Sequence, residues 1–176
     1  LNVFRPADTI ETLECWEIAL KSSTTPSVIA LSRQKIPFIT QTLTNKNMTS
    51  LGGYEIKKTS SDPEITLIAS GSEVQIAIDA LNKLQNFNIS SKVVSMPCHE
   101  LFDKQTQEYK QQLIKKNSIK ISIEAGSIFG WEKYVGTDGV SLGIKSFGKS
   151  APAKALYEDF NLTSDNVVKM AKKMLG

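Results

Sequence analysis

Ile65-Thr66-Leu67-Ile68-Ala69-Ser70-Gly71-Ser72-Glu73-Val74 is a short apolar run that breaks at a glycine and resumes as a helical pattern, with Val74, Ala77, Ile78 and Leu81 on one stripe. This is a strand, a tight turn and a helix, and the unit recurs downstream. Lys92-Val93-Val94-Ser95-Met96 reads as the next strand, stopped by Pro97, and a helical stretch through Tyr109 and Leu113 leads into a third, Ile119–Ile123. A Gly-rich passage from Gly126 to Gly148 holds a further strand, Val140 to Ile144. Ser150-Ala151-Pro152-Ala153 then opens a helix with a capping serine and an early proline. A last helix runs from about Ser164 to Gly176 with Val167, Ala171 and Met174 inward. Strands alternating with helices predict an α/β fold: three α/β/α layers around a mainly parallel, mixed sheet covered on both faces.

Upstream the pattern differs. Asp8-Thr9-Ile10-Glu11 has the form of a helix start, an acidic N-cap with Glu three residues on, and Ile10, Leu13, Trp16 and Leu20 follow at helical spacing. The apolar segment Ser27-Val28-Ile29-Ala30-Leu31 then reads as a strand. Beyond it Pro37 and a Thr/Asn/Ser-rich stretch from Thr40 to Ser50 carry almost no periodicity and end at Leu51-Gly52-Gly53-Tyr54. Such composition marks a linker with a domain boundary inside it. Residues 1–50 are therefore expected to be a helix–strand remnant of another α/β domain, and residues 51–176 a second domain. A first residue of leucine rather than methionine fits a chain that begins partway through a longer protein.

Composition excludes several classes of function. With 22% charged and 40% apolar residues and a net charge of +3, the chain has the make-up of an ordinary soluble domain. The lysine pairs Lys115-Lys116 and Lys172-Lys173 lack interleaved aromatics, which argues against a nucleic-acid partner. No apolar run approaches the roughly 20 residues of a membrane helix, and the start Leu1-Asn2-Val3-Phe4-Arg5-Pro6 lacks the layout of a signal peptide. A cytoplasmic protein is expected. Cys15 and Cys98 lie far apart and form no CxxC pair, as free buried thiols would.

Few residues carry chemistry. Leu31-Ser32-Arg33-Gln34 puts an arginine where a strand stops and a loop begins, at the end of an α/β sheet where ligands collect, and a guanidinium there suits a phosphate. The tetrapeptide alone favours pairing with a neighbouring carboxylate instead. Gly71-Ser72-Glu73 offers free backbone N–H groups to an anion but lacks a full phosphate-loop glycine pattern, and Glu73 repels phosphate while suiting the helix dipole, so it reads as a turn. His99, the only histidine, has Cys98 and Glu100 beside it, yet adjacent residues rarely face one another, which favours a surface or packing role. Glu124 ends a strand at the ligand-prone edge with no second titratable group visibly arranged with it, and structural or interface pairing is expected. Asp138-Gly139 reads as a turn rather than a metal loop, and Trp131, Tyr134 and Phe147 as core or subunit-contact aromatics.

In order and wording these segments resemble the carboxyl-terminal part of transketolase. Arg5-Pro6-Ala7-Asp8, Trp16 and Leu31-Ser32-Arg33-Gln34 are similar to the close of that family's middle, pyrimidine-binding domain. Gly52-Gly53-Tyr54, Leu67 through Val74, Val93 through Pro97, Leu101-Phe102-Asp103-Lys104-Gln105, Glu124-Ala125-Gly126, Gly130-Trp131, Tyr134-Val135-Gly136 and Phe147 through Ala153 are similar to its third domain.

The resemblance implies a dimeric, thiamine-diphosphate-dependent enzyme with Mg²⁺ or Ca²⁺, moving a two-carbon ketol unit from a ketose phosphate to an aldose phosphate in the pentose phosphate pathway. It carries one residue role to this chain, that of Arg33 as the arginine that binds the sugar phosphate, a geometry its planar fork matches better than lysine would. The family's Gly-Asp-Gly metal loop, its activating glutamate and its channel histidines belong upstream of these motifs, and His99 inherits no role. No cofactor, metal or turnover is expected of the fragment alone. A dihydroxyacetone synthase-like enzyme or a free-standing binding or regulatory module are the alternatives. A helix and strand severed from their sheet are expected to be poorly ordered, to repack, or to mediate contacts between chains.

Overall fold

A computed structural model describes residues 1–40 and 46–176. Its first elements are β1 (Asn2–Phe4), α1 (Thr9–Lys21) and β2 (Ser27–Ile29), with the two strands paired in parallel from Asn2↔Ser27 to Phe4↔Ile29. Asp8 caps α1 by accepting the Glu11 N–H at 2.9 Å, as the sequence predicts. The apolar stripe of α1 does not face inward: Leu13, Trp16 and Leu20 are 61%, 51% and 78% exposed, and the buried helix residues are Glu11 and Cys15. The strand expected through Leu31 ends at Ile29 and is only half-buried, its single neighbour among the described residues being the three-residue β1. β1 itself lacks a sequence signal.

A short 3₁₀ turn at Met48–Leu51 precedes the larger sheet. Its strands are β3 (Tyr54–Lys58), β4 (Ile65–Ala69), β5 (Ser91–Ser95), β6 (Ile119–Ile123) and β7 (Val140–Leu142), in the order β3-β5-β4-β6-β7. β3 runs antiparallel to β5, and the remaining pairs are parallel. The helices are α2 (Glu73–Gln85), α3 (His99–Asp103), α4 (Gln107–Leu113), α5 (Glu132–Val135), α6 (Ala153–Asp159) and α7 (Ser164–Leu175).

Strand alternation divides the core into two layers of side chains. Ile65, Leu67 and Ala69 of β4 point to one face, where they pack with Ala77, Leu81 and Leu84 of α2 and Val167 and Ala171 of α7. Ile68 and Val94 point to the other, against Phe102, Leu113, Trp131 and Tyr134 from α3, α4 and the α5 region. The fold is the expected mixed-sheet α/β/α arrangement. The helical stretch through Tyr109 and Leu113 is α4, with the short α3 ahead of it; the sequence reading fails at the start of α6, whose N-cap is Pro152 with no side-chain cap bond, Ser150 being exposed.

Part of the junction expected at Thr40–Ser50, residues 41–45, lies outside the described residues. Both of its flanks are tied to α1. The Ile39 and Thr40 N–H groups donate to the Asp8 carboxylate at 3.1 and 2.7 Å, and those of Met48 and Thr49 donate to Glu14 at 3.1 and 2.8 Å.

Candidate functional site

The strand order builds a crevice. From β4 the chain passes to β5 on one side and then to β6 on the other, so the loops leaving the carboxyl ends of β4 and β6 diverge, the position where α/β sheets bind ligands. A cavity of about 430 Å³ lies there, lined among others by Ser70, Met96, His99, Glu124 and Trp131. Arg5 also lines it, from the other end of the sequence. The Arg5 carbonyl accepts the Gly71 N–H at 2.9 Å and its N–H donates to Pro97 O at 2.8 Å, so the segment after β1 runs along the strand ends. The φ of Gly71, +57°, is the left-handed conformation the strand-to-helix turn needs.

The Arg5 guanidinium meets two carboxylates. Its Nη2 donates to Glu73 Oε2 at 3.0 Å and its Nη1 pairs with Glu124. Glu73, fully buried, also accepts Tyr157 O–H at 2.6 Å, Ser72 O–H at 2.7 Å and the Ala125 N–H at 3.2 Å. Glu124 accepts Ser70 O–H at 3.3 Å. The structural pairing expected of Glu124 is present, and its partner, which the sequence does not show, is Arg5, with Glu73 on the same guanidinium. Neither is near in sequence, and the cue for Arg5 is only its place in the Arg5-Pro6-Ala7-Asp8 phrase. The turn reading of Gly71-Ser72-Glu73 agrees with the structure, with Glu73 opening α2.

Arg33 sits in the bend beyond β2, exposed, and among the described residues its side chain has no hydrogen-bond or ion-pair partner. The carboxylate pairing favoured by the tetrapeptide alone is not what the structure contains. The Ala30 N–H donates to Phe4 O at 2.8 Å just before the loop, and the Gln34 amide reaches Tyr157 Oη at 3.5 Å just after Arg33.

His99 packs edge-on against Trp131 and Tyr134, with ring centroids 4.7 and 4.9 Å apart, and burial lowers its pKa. The Cys98 thiol donates to Glu100 at 3.3 Å, and burial pushes its pKa up to about 12, far from a ready nucleophile. Both cysteines are free and buried. Trp131 and Tyr134 are core residues, whereas Phe147 is 97% exposed, and Asp138 lies in an exposed turn. Among the described residues no group of three or more His, Cys, Asp or Glu is placed to hold a metal ion. No helix among them is long and apolar enough to cross a membrane.

Sequence reasoning also missed Glu11. Fully buried, it accepts the Ala7 N–H at 2.6 Å, Tyr54 O–H at 2.7 Å and Ser95 O–H at 2.5 Å, binding α1 to β3 and β5. Burial outweighs these donors and raises its pKa to about 7.

Fold and crevice define an open α/β domain whose switch point is closed by an arginine from a preceding segment. A family model, the transketolase-like TK C-terminal domain, matches residues 52–163. The chain belongs to the transketolase family. It is 47% identical to the transketolase of Sinorhizobium medicae, over 99% of this chain and 25% of that protein. The solved transketolase of Leishmania mexicana superposes with a TM-score of 0.88 at 38% identity, covering 98% of this chain and 25% of that one. A Pichia stipitis transketolase solved with sedoheptulose-7-phosphate gives a TM-score of 0.89 at 36% identity, with the same coverage of this chain and 25% of its own. The chain thus spans about a quarter of the length of these relatives.

Proposed function

We propose that the chain acts as the carboxyl-terminal part of a transketolase, with residues 1–50 closing the pyrimidine-binding domain and residues 51–176 forming the third domain. The complete enzyme transfers a two-carbon ketol unit between sugar phosphates as a cytoplasmic homodimer of the pentose phosphate pathway. Thiamine diphosphate with Mg²⁺ or Ca²⁺ supplies the carbanion chemistry and is held outside this chain. The fragment alone is inactive.

The task of this chain's residues is binding and orientation. Arg33 holds the terminal phosphate of the sugar, its fork donating two parallel N–H groups to phosphate oxygens. The observation that carries this role is the exposure of Arg33 at the end of β2 with no carboxylate partner among the described residues. A charge already paired would have to break that pair before binding.

The test is the Arg33→Ala variant of the complete enzyme, assayed with a ketose phosphate and with the same ketose lacking phosphate. Losing a charged hydrogen-bond contact worth about 2 kcal/mol lowers kcat/KM roughly 30-fold for the phosphorylated substrate and leaves the other within about twofold. Equal losses for both would refute the assignment.

A further inference from the structure

Arg33 is exposed, yet its loop is not free to wander. On the near side, the Ala30 N–H to Phe4 carbonyl bond of 2.8 Å fixes the loop to β1. On the far side, the next main-chain anchor is Ile39, whose N–H bonds Asp8 at 3.1 Å. Between these anchors, among the described residues, a single hydrogen bond joins the loop to the rest of the fold: Gln34 Nε2 to Tyr157 Oη at 3.5 Å. Gln34 follows Arg33 directly, and Ser32 on its other side donates to the Gln34 carbonyl at 3.3 Å.

Tyr157 is itself immobilised. Its hydroxyl lies 2.6 Å from Glu73 Oε1 and 2.9 Å from Ser72 Oγ, and Glu73 is buried and pinned by Arg5 and by the Ala125 N–H. A phenol has one proton, which goes to the carboxylate, so its oxygen keeps lone pairs for the Gln34 amide. The crevice network of the second domain therefore ends in an acceptor facing the arginine loop of the first.

We propose that Tyr157 is a positioning residue for Arg33: through Gln34 it holds the loop so that the guanidinium meets a phosphate monoester without first being ordered. This rests on the reading of Arg33 as the sugar-phosphate anchor. A loop already ordered spares the entropy of fixing a long side chain at the moment of binding. The benefit appears in the affinity for phosphorylated sugars and in no other step.

The experiment compares Tyr157→Phe, Gln34→Leu, their double variant and Arg33→Ala in the complete enzyme, with phosphorylated and unphosphorylated forms of one ketose. For a single long hydrogen bond, Tyr157→Phe and Gln34→Leu should each raise KM for the phosphorylated form about three- to fivefold at unchanged kcat and leave the unphosphorylated form unaltered. The double variant should be no worse than either single one, because both remove the same link. Gln34 is exposed, so its replacement reports on the loop without unfolding the core. Equal losses on both substrates, additive effects, or no change in KM would overturn the proposal, while Arg33→Ala discriminating between the substrates would still uphold the phosphate anchor. A failure of Arg33→Ala to discriminate would remove the anchor and the positioning role together.

Discussion

The guanidinium of Arg5 donates to the carboxylate of Glu73 at 3.0 Å across 68 positions of sequence, and the same group pairs with Glu124. Glu73 is fully buried and Glu124 nearly so, so the cation is what makes two adjacent carboxylates tolerable in the crevice. Replacing Arg5 with alanine should lower stability by about 3 kcal/mol in urea denaturation, since the carboxylates stay behind unpaired. Arg5→Lys should recover less than half of that, because a point charge cannot bridge both. A loss under about 1 kcal/mol for Arg5→Ala would show that other donors carry the pair.

Stability should depend on pH through Glu11. Its pKa in the fold is raised from 4.5 to about 7, so between these values the folded state binds a proton that the unfolded chain does not. The contribution is complete below about pH 4.5 and is lost as pH rises through 7, with an upper bound of about 3 kcal/mol. Glu11→Gln keeps an acceptor for the Ala7 N–H without the charge. The difference in Tm between wild type and Glu11→Gln, measured from pH 5 to 8, should therefore grow in favour of the variant as pH rises. Taking the difference cancels His99, whose lowered pKa works in the opposite sense. A constant difference across that range would mean that Glu11 titrates as an ordinary carboxyl.

Gly52 and Gly148 should respond oppositely to alanine. Gly52 has φ +76°, and a Cβ there would collide with the backbone of Phe102 and Cys98, while nothing lies within 4 Å of one at Gly148. Gly52→Ala should cost at least about 2 kcal/mol and Gly148→Ala less than about 0.5, as read from denaturation midpoints.

The two tryptophans offer a matched pair. Trp131 is 2% exposed and packs with Phe102, Met96 and Tyr134, whereas Trp16 is 51% exposed on α1. Trp131→Ala should destabilise by about 3–5 kcal/mol and Trp16→Ala by less than about 1. Fluorescence offers a second check: loss of Trp131 should remove the blue-shifted part of the native emission.

How far the sequence could be read follows from burial. β4, β5 and β6 are covered on both faces, so their apolar runs stand out in the sequence and mark the loops that follow them. β3, Tyr54-Glu55-Ile56-Lys57-Lys58, is an edge strand with charges on its exposed positions, and β1 has three residues; neither leaves a periodic trace. On α1 the helical spacing at Leu13, Trp16 and Leu20 gives the right element; that stripe is exposed, and the anchoring is done by the polar Glu11 and Glu14, which no spacing rule picks out. Arg33 lies in the loop beyond β2, where its place after an apolar segment puts it. The pairings of Arg5 and Tyr157 are not legible in the sequence, because their partners lie dozens of residues away and only the folded chain brings them together.

The family model begins at residue 52, but charge and hydrogen bonding cross that boundary. A polypeptide trimmed to begin there would keep Glu73 and Glu124 and lose their counter-ion, and would leave the hydroxyls of Tyr54 and Ser95 facing a hole where Glu11 had been. The stretch matched by the family model is thus smaller than what physics needs to complete it, and Glu11, far upstream of residue 52, is part of that stretch's interior.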